Sequence, residues 1–352
     1  MAIDPAILDH HLHQAVVDMG AATSAVLIHL GDRLGLYKAM AGAGPLTSTE
    51  LADRTGTRER YVREWLNNQA AGGTVTYDAG AETYNLSEEA AFLFADETSP
   101  VFLPGFFECL MAFSADASTI EDAFRTGQGV GWEHHDHRLF SGTARFFAPG
   151  YRANLVTSWI PALDGVADKL VAGATVADVG CGYGITTLLM AQAYPDAVFV
   201  GYDPHDGSIA AARKAAAEAG LTDRVRFEVA SAQDFPGTGY DLVAFFDCLH
   251  DMGDPVGALR HTADALADDG TVLLVEPAAG DSVSENLHPR GRLFYGVSTL
   301  VCTPASCSQD VGLGLGAQAG EARYQELFTE AGYSRLRRAT ETPFNLVLEG
   351  RK

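Results

Sequence analysis

Two carboxylates separated by a glycine-rich segment form the clearest chemical pattern in the sequence. Asp178 lies near the end of an apolar run, residues 175–179, and Gly-Cys-Gly-Tyr-Gly follows directly at 180–184. Asp203 follows a second apolar run, residues 198–202. Glycines let a ligand approach the backbone closely, and an acid about twenty residues after such a turn can accept hydrogen bonds from ribose hydroxyls. The pattern therefore predicts a nucleoside site at a strand-turn-helix junction.

The order of acids and glycines distinguishes between nucleosides. A dinucleotide site needs a third glycine two residues further along and no acid before the first, whereas this segment reads Asp-x-Gly-x-Gly-x-Gly. This order resembles motif I of the class I S-adenosylmethionine (SAM) methyltransferases, and the resemblance implies SAM as the cofactor. Many of those enzymes place an acid near Ser231 for the adenine, so here the Ser231 hydroxyl or backbone amides would hold that base. The implied cofactor residues are Asp178, Gly180, Cys181, Gly182, Gly184, Asp203, Pro204, Ser231, Ala232, Phe246 and Asp247.

A histidine follows a later apolar strand. Residues 246–252 read Phe-Asp-Cys-Leu-His-Asp-Met. They resemble the Leu-His-Asp-Trp segment of the plant caffeic-acid-type and bacterial antibiotic-pathway O-methyltransferases, with Met252 in place of tryptophan. The resemblance implies that His250 is the general base, with Glu276 and Glu321 as its flanking acids. The position of Glu276 follows from the Gly270 turn, whereas Glu321 aligns only across a gap.

Proton chemistry agrees with this role for His250. A phenol with a pKa near 10 is a poor nucleophile at neutral pH, and an imidazole with a pKa of about 6.5 can take its proton. Leu-His after this strand also occurs in SAM enzymes that do no base chemistry there. The alternative is therefore that the ring only packs beside the cofactor.

Composition and charge exclude several classes of protein. The chain has 352 residues, of which 47% are hydrophobic, and its formal charge of −22 would repel nucleic acid and anionic lipid. Residues 101–113 are too short and too interrupted to span a membrane. Five cysteines without regular spacing favour reduced thiols, and no secretory signal is visible, so we expect a cytoplasmic protein.

The first 95 residues predict a helical domain with a winged-helix layout. Apolar spacing predicts two helices within residues 4–40. A helix, a turn, a second helix and a hairpin then follow over 46–94. Arginines at 58, 60 and 63 on the second of these helices invite a DNA-binding interpretation, but Glu59, Glu64 and the net charge oppose it. We therefore predict a dimerisation domain and a homodimer.

Residues 96–163 form an aromatic connector between the two domains. Its rings predict either interdomain core or the roof of an aromatic pocket. Histidines crowded at 134–137 rarely complete a closed metal site, and Cys302 with Cys307 lacks a third cysteine, so we predict no metal. The candidate pocket residues are Phe106, Phe107, Met111, Trp132, His135, Phe147, Tyr151 and Tyr295.

Residues 164–352 predict an α/β domain with a Rossmann-like, seven-stranded methyltransferase sheet. Strands and helices alternate from 175 to 276, and two terminal strands surround Thr342-Pro343. The whole pattern predicts SAM-dependent methyl transfer to a hydroxyl of a small aromatic or polyketide-like molecule. Two alternatives stay open: N- or C-methylation without His250 as a base, and a winged-helix transcription regulator that senses SAM.

Overall fold

The computed structural model of the protein describes residues 3–352 and divides them into two units. The first unit extends to Ser114 and includes Ser141–Pro149, and the second comprises Ala115–Phe140 and Gly150–Lys352. The aromatic connector expected at 96–163 is therefore shared between the two units. Among the described residues, no helix is long and apolar enough to cross a membrane.

Helices dominate the first unit. One continuous helix of 29 residues replaces the first predicted helix and most of the second, because Asp4 caps its start, Pro5 occupies the first turn, and no further proline follows before Arg33. Gly35, with φ 69°, then turns the chain into a short helix. The elements of this unit are α1 (Pro5–Arg33), α2 (Leu36–Met40), α3 (Ser48–Thr55), α4 (Glu59–Ala71), β1 (Thr76–Asp78), β2 (Thr83–Asn85), α5 (Glu88–Phe94) and α6 (Pro104–Ala115).

The winged-helix layout follows from local signals. Thr47 and Glu50 form a capping box at the start of α3, and Gly56 ends that helix in the left-handed conformation. β1 and β2 pair antiparallel, with Tyr77 opposite Tyr84. The core of the unit contains Trp65 and Leu66 of α4. Burial of these apolar side chains holds the short elements together.

The second unit is a layered α/β structure. Helix α8 contains residues 141–149, which are assigned to the first unit. The elements are α7 (Ala117–Thr126), α8 (Arg138–Asn154), α9 (Val166–Ala172), β3 (Thr175–Val179), α10 (Ile185–Ala193), β4 (Val198–Asp203), α11 (Asp206–Glu218), β5 (Val225–Val229), β6 (Tyr240–Phe246), α12 (Pro255–Ala265), β7 (Leu266–Pro277), α13 (Pro289–Val297), α14 (Thr303–Cys307), α15 (Gly320–Glu330), β8 (Arg335–Glu341) and β9 (Asn345–Arg351).

These strands form the seven-stranded sheet that the sequence predicts. The order is β5-β4-β3-β6-β7-β9-β8, with β3 to β7 parallel and the last two strands antiparallel. The central strands are buried on both faces because helices cover them. The chain reverses its direction of winding between β3 and β6, and ligands bind in such sheets at the carboxyl ends of the strands beside that point.

Candidate active site

The glycine turn after β3 adopts a backbone that few other residues tolerate. Gly180, Gly182 and Gly184 have φ of 74°, 52° and 75°. A Cβ on Gly184 would lie 2.4 Å from the ring of Phe227, whereas a Cβ on Gly182 would meet no atom within 4 Å. The first and third glycines are therefore required by close contacts or conformation. The second borders open space that a ligand can enter.

Asp178 carries an oxygen without a partner beside this turn. Its side chain is buried, and the hydroxyls of Thr186 and Thr187 each donate to Oδ2 at 2.6 Å. Oδ1 is also buried and accepts no hydrogen bond. Burial raises the pKa of Asp178 to about 6, although the two threonine hydroxyls oppose that shift. The free oxygen can accept a hydrogen bond from a cationic or amide donor of a ligand.

Asp203 ties the turn to the end of β4. Its Oδ2 accepts a hydrogen bond from the Gly182 amide, and its Oδ1 accepts one from the His205 amide, both at 2.9 Å. Burial raises the pKa of Asp203, and these two amides oppose that shift. A carboxylate has about four acceptor sites, so two remain for ribose hydroxyls. Together with the orphaned oxygen of Asp178 and the space at Gly182, this arrangement fits SAM.

The remaining cofactor candidates lie on or just after neighbouring strands. Ser231 donates its hydroxyl to Asp234 at 2.7 Å and accepts from the Gln233 amide at 3.3 Å, so one lone pair remains for an adenine. Ala232 and Phe246 are buried, and Pro204 is exposed. Phe140 also stacks on His205, with 4.4 Å between the ring centroids. Nothing in the sequence indicated this contact, because 65 residues separate the two positions.

Asp247 is held in an unusual backbone conformation after β6. Its φ is 50°, which is uncommon for a residue with a Cβ and is found most often at functional sites. Tyr151 donates its hydroxyl to Oδ2 at 2.8 Å, and the Asn345 amide donates to Oδ1 at 3.0 Å. Burial and the nearby Glu276 raise the pKa of Asp247 to about 7. The predicted pocket residue Tyr151 therefore contacts a predicted cofactor residue.

His250 is oriented by the carboxylate of Glu276. The histidine lies in a short 3-10 turn, Leu249–Asp251, and its Nδ1 is hydrogen-bonded to Oε2 of Glu276 at the end of β7. The Leu249 amide and the Tyr324 hydroxyl donate to the same carboxylate at 2.9 and 3.0 Å. Both His250 and Glu276 are buried. This network fixes the orientation of the ring.

Asp251 is the second acid at His250. Its Oδ1 lies 3.1 Å from Nε2 of the ring. Burial disfavours the charged imidazolium, but the carboxylates of Glu276 and Asp251 outweigh burial and raise the pKa of His250 well above its usual value. Both carboxylates therefore favour the charged form of the ring.

Glu321 does not have the position that the resemblance implies. It lies in the first turn of α15 and forms an ion pair with Arg338 of β8. Another residue of the same helix, Tyr324, is the one that contacts Glu276. In the described structure, the two acids beside the His250 ring are Glu276 and Asp251.

The pocket candidates fall into two groups. In the second unit, Trp132 lies close enough to Asp251 to oppose the rise in the pKa of that carboxyl, and His135 is buried with its Nδ1 2.8 Å from Oδ2 of Asp116. Tyr295 of α13 is half-buried, and no described contact joins its ring to His250. The other four candidates lie in the first unit and are half-buried there: Phe106, Phe107, Met111 and Phe147.

The order of the strands and the glycine turn are those of the class I, SAM-dependent methyltransferase fold. Two domain models agree: residues 177–272 match the methyltransferase domain, and residues 22–95 match the Rv2258c-like winged HTH domain. The chain therefore combines a winged helix-turn-helix domain with a class I methyltransferase domain.

Individual relatives point to the same class. The chain is 30% identical over 171 residues to the 27-O-demethylrifamycin SV methyltransferase of Amycolatopsis mediterranei, which covers 46% of this chain and 55% of that protein. The chain thus aligns with about half the length of this curated relative. The crystal structure of the mitomycin 7-O-methyltransferase has a TM-score of 0.72 at 22% identity, over 99% of this chain and 100% of that one.

A third similar protein was solved with ligands. It is an O-methyltransferase from neocarzinostatin biosynthesis, in a complex with S-adenosyl-L-homocysteine and 1,4-dihydroxy-2-naphthoic acid. Its TM-score is 0.65 at 21% identity, over 96% of this chain and 98% of that one. At such identities these structures establish the fold.

Proposed function

We propose that this protein transfers the methyl group of SAM to a hydroxyl of a small aromatic or polyketide-like molecule. The observation that carries the proposal is the buried pair of His250 and Glu276 at the carboxyl end of the sheet, beside the glycine turn. The relative that methylates 27-O-demethylrifamycin SV supports the same substrate class.

In this proposal, different residues contact different parts of SAM. The free Oδ1 of Asp178 is suited to the ammonium group of SAM, and the remaining lone pairs of Asp203 to its ribose hydroxyls. The space beside Gly182 admits the ligand close to the backbone. When bound, SAM supplies an electrophilic methyl group on a sulfonium. The protein then has to hold the acceptor oxygen in line with that methyl, which accounts for much of the rate.

His250 acts as the general base in this proposal. Glu276 holds Nδ1, so Nε2 faces the acceptor, and Asp251 lies close enough to share the proton that Nε2 takes. Removing the hydroxyl proton as the methyl moves contributes about 10²- to 10⁴-fold in rate. The same carboxylates favour the imidazolium that forms, because opposite charges nearby stabilise it.

The first experiment needs no known acceptor. Calorimetric titration of the purified chain should show binding of SAM and of S-adenosylhomocysteine. A panel of aromatic hydroxy acids and naphthols, including 1,4-dihydroxy-2-naphthoic acid, should then give S-adenosylhomocysteine and a methylated product by mass spectrometry. A protein that binds neither nucleoside, or that methylates only amines or carbon, contradicts the proposal.

We propose a homodimer through α1 of the first unit. Apolar side chains on this helix repeat at helical spacing and are 43–60% exposed. A stripe of this kind on a soluble domain marks a protein contact. Its members are Leu8, Leu12, Val16, Met19, Val26 and Leu30.

DNA binding by the winged helix is disfavoured by its ion pairs. On α4, Arg60 pairs with Glu64 at 2.6 Å, and Arg63 pairs with Glu59 at 2.7 Å. Arginines neutralised in this way contribute little to phosphate binding. A gel-shift assay against genomic fragments should therefore show no sequence-specific retention, and retention would favour the regulator.

The thiols support the cytoplasm as the location. All five cysteines of the chain are free. Free thiols are typical of reducing compartments.

A further inference from the structure

Three metal-ligating side chains converge at Nε2 of His250. We infer that the protein binds a thiophilic divalent cation, Zn²⁺ by preference, through His250, Asp251 and Cys302. One ligand atom from each residue lies within 4.8 Å of the other two, and all three residues are buried. Nothing in the sequence suggests this group, because Cys302 follows His250 by 52 residues and lies in a separate helical segment.

One oxygen of this cluster lacks a hydrogen bond. Oδ1 of Asp251 is buried and lies 3.1 Å from Nε2 of His250, but it accepts no hydrogen bond. An under-satisfied buried carboxylate oxygen is costly, and a bound cation would satisfy it. Donors on a tetrahedral zinc lie about 3.5 Å apart, given bonds of about 2.0–2.3 Å. Closing the cluster therefore needs side-chain movements of about 1 Å.

The donor set selects the metal. Zn²⁺ accepts thiolate sulfur, imidazole nitrogen and carboxylate oxygen together, whereas Mg²⁺ and Ca²⁺ require oxygen donors. A thiolate and an imidazole in one site exclude the two oxygen-seeking ions. Three protein ligands also leave a fourth position open, as in zinc sites that exchange a water or another ligand.

The surroundings hold two of these ligands in place. Glu276 binds Nδ1 of His250, which is the carboxylate-histidine arrangement that orients imidazole toward a metal. The same carboxylate is fixed by Leu249 and Tyr324. The Gln309 side-chain amide donates a hydrogen bond to the backbone carbonyl of Asp251 at 2.9 Å. The ligands are therefore supported before any ion arrives.

Binding at this site has a consequence for methyl transfer, and that consequence rests on the proposed function. The metal bonds to Sγ of Cys302 and Nε2 of His250, and protons on these atoms leave to solvent. Nε2 can then no longer accept a proton from a hydroxyl. Zinc should therefore inhibit base-dependent transfer reversibly, and chelation should restore it.

Cobalt titration of the purified full chain, after treatment with a chelator, tests the site without SAM or acceptor. Co²⁺ should bind at one ion per chain and give an intense near-ultraviolet band from thiolate to cobalt, which Zn²⁺ then abolishes. Cys302→Ser should lose the band. Cys307→Ser is the matched control, since Cys307 is outside the cluster, and it should keep the band.

Three results would overturn the inference: no thiolate band, a band that persists in Cys302→Ser, or a band that disappears in Cys307→Ser. Circular dichroism verifies that the serine variants are folded. If Cys302→Ser does not fold, Asp251→Asn provides the test, because the amide should lower cobalt affinity at least about tenfold if the carboxylate is a ligand. Unchanged affinity in that variant would refute the site. Since the band needs no methyl donor, failure of methyl transfer and failure of metal binding are read separately.

Discussion

At the residue scale, the site contains buried carboxylates that differ in how many hydrogen-bond donors surround them. Glu276 has three hydrogen-bond donors around it, whereas one oxygen of Asp178 and one of Asp251 accept none. A buried oxygen without a donor costs free energy in the free protein. Such oxygens are therefore the positions where a ligand gains the most by binding.

Removal of the His250 imidazole tests the base directly. His250→Ala should lower the rate of O-methylation by about 10²- to 10⁴-fold, because the acceptor hydroxyl loses its proton acceptor. The measurement is the single-turnover formation of S-adenosylhomocysteine, with SAM affinity by calorimetry as the control. An unchanged rate would refute the base and favour N- or C-methylation.

Asp178→Asn should stabilise the free protein while weakening SAM binding. The pKa of Asp178 is raised from 3.8 to about 6, so its ionisation opposes folding. In the wild type, the loss of stability caused by ionised Asp178 is absent below about pH 4, develops as the pH rises to about 6, and then stays constant. Because a pKa difference of one corresponds to about 1.4 kcal/mol, the variant should gain up to about 3 kcal/mol at pH 8.

Thermal unfolding of the wild type and the variant at pH 4 and pH 8 measures this difference. The variant should be more stable only at the higher pH, and its SAM affinity should fall by roughly tenfold or more, about 1.4 kcal/mol. Asp223→Asn is the control, because Asp223 is exposed in the same unit. A variant that is less stable than the wild type at pH 8 would contradict the argument.

At the scale of elements, the glycine turn contains one glycine that the packing requires and another that borders space for a ligand. Gly182 and Gly184 are two residues apart and both have positive φ, yet their surroundings differ. One faces open space and the other faces the ring of Phe227. The turn after β3 is thus packed against the protein on one side and open to a ligand on the other.

Alanine should mainly lower stability at Gly184 and mainly weaken SAM binding at Gly182. Gly184→Ala should lower the free energy of unfolding by about 2–5 kcal/mol, since it combines a left-handed backbone with a clash. Gly182→Ala should cost only about 1–2 kcal/mol from the backbone, but its methyl group enters the ligand space and should weaken SAM binding roughly tenfold or more. Unfolding curves and calorimetry on both variants measure this. Equal stability losses, or full SAM affinity in Gly182→Ala, would contradict it.

At the scale of the whole molecule, the proposed dimer depends on α1. This helix of 29 residues has a single buried residue, Gly31, and exposes its apolar stripe. Burying such side chains yields about 25 cal/mol per Å² of apolar surface. Leaving a stripe of this length in water is therefore unfavourable, and a second copy of the same helix would cover it.

Charge on the stripe should dissociate the dimer. The double variant Leu12→Glu and Val16→Glu should have half the mass of the wild type by light scattering, because buried carboxylates without partners oppose association. His13→Glu, on an exposed neighbouring position, should remain dimeric. A wild type that is monomeric at all concentrations, or a double variant that keeps the wild-type mass, would refute the interface.

The sequence by itself determined the class of the fold and the turn at which we propose that SAM binds. β3 occupies the apolar run at 175–179, and Asp178, the glycine turn and Asp203 lie together as expected. These features are local, since apolar runs set the strands and neighbouring residues form the turn. The apolar spacing predicted two helices within residues 4–40, whereas α1 is continuous to Arg33.

Only the tertiary structure decided which side chains surround His250. Asp251 replaces Glu321, Tyr324 joins Glu276, and Cys302 approaches the ring. Apart from Asp251, these partners come from segments 26 to 74 residues further along the chain. Their meeting depends on how whole helices and strands pack, and no local spacing encodes that packing.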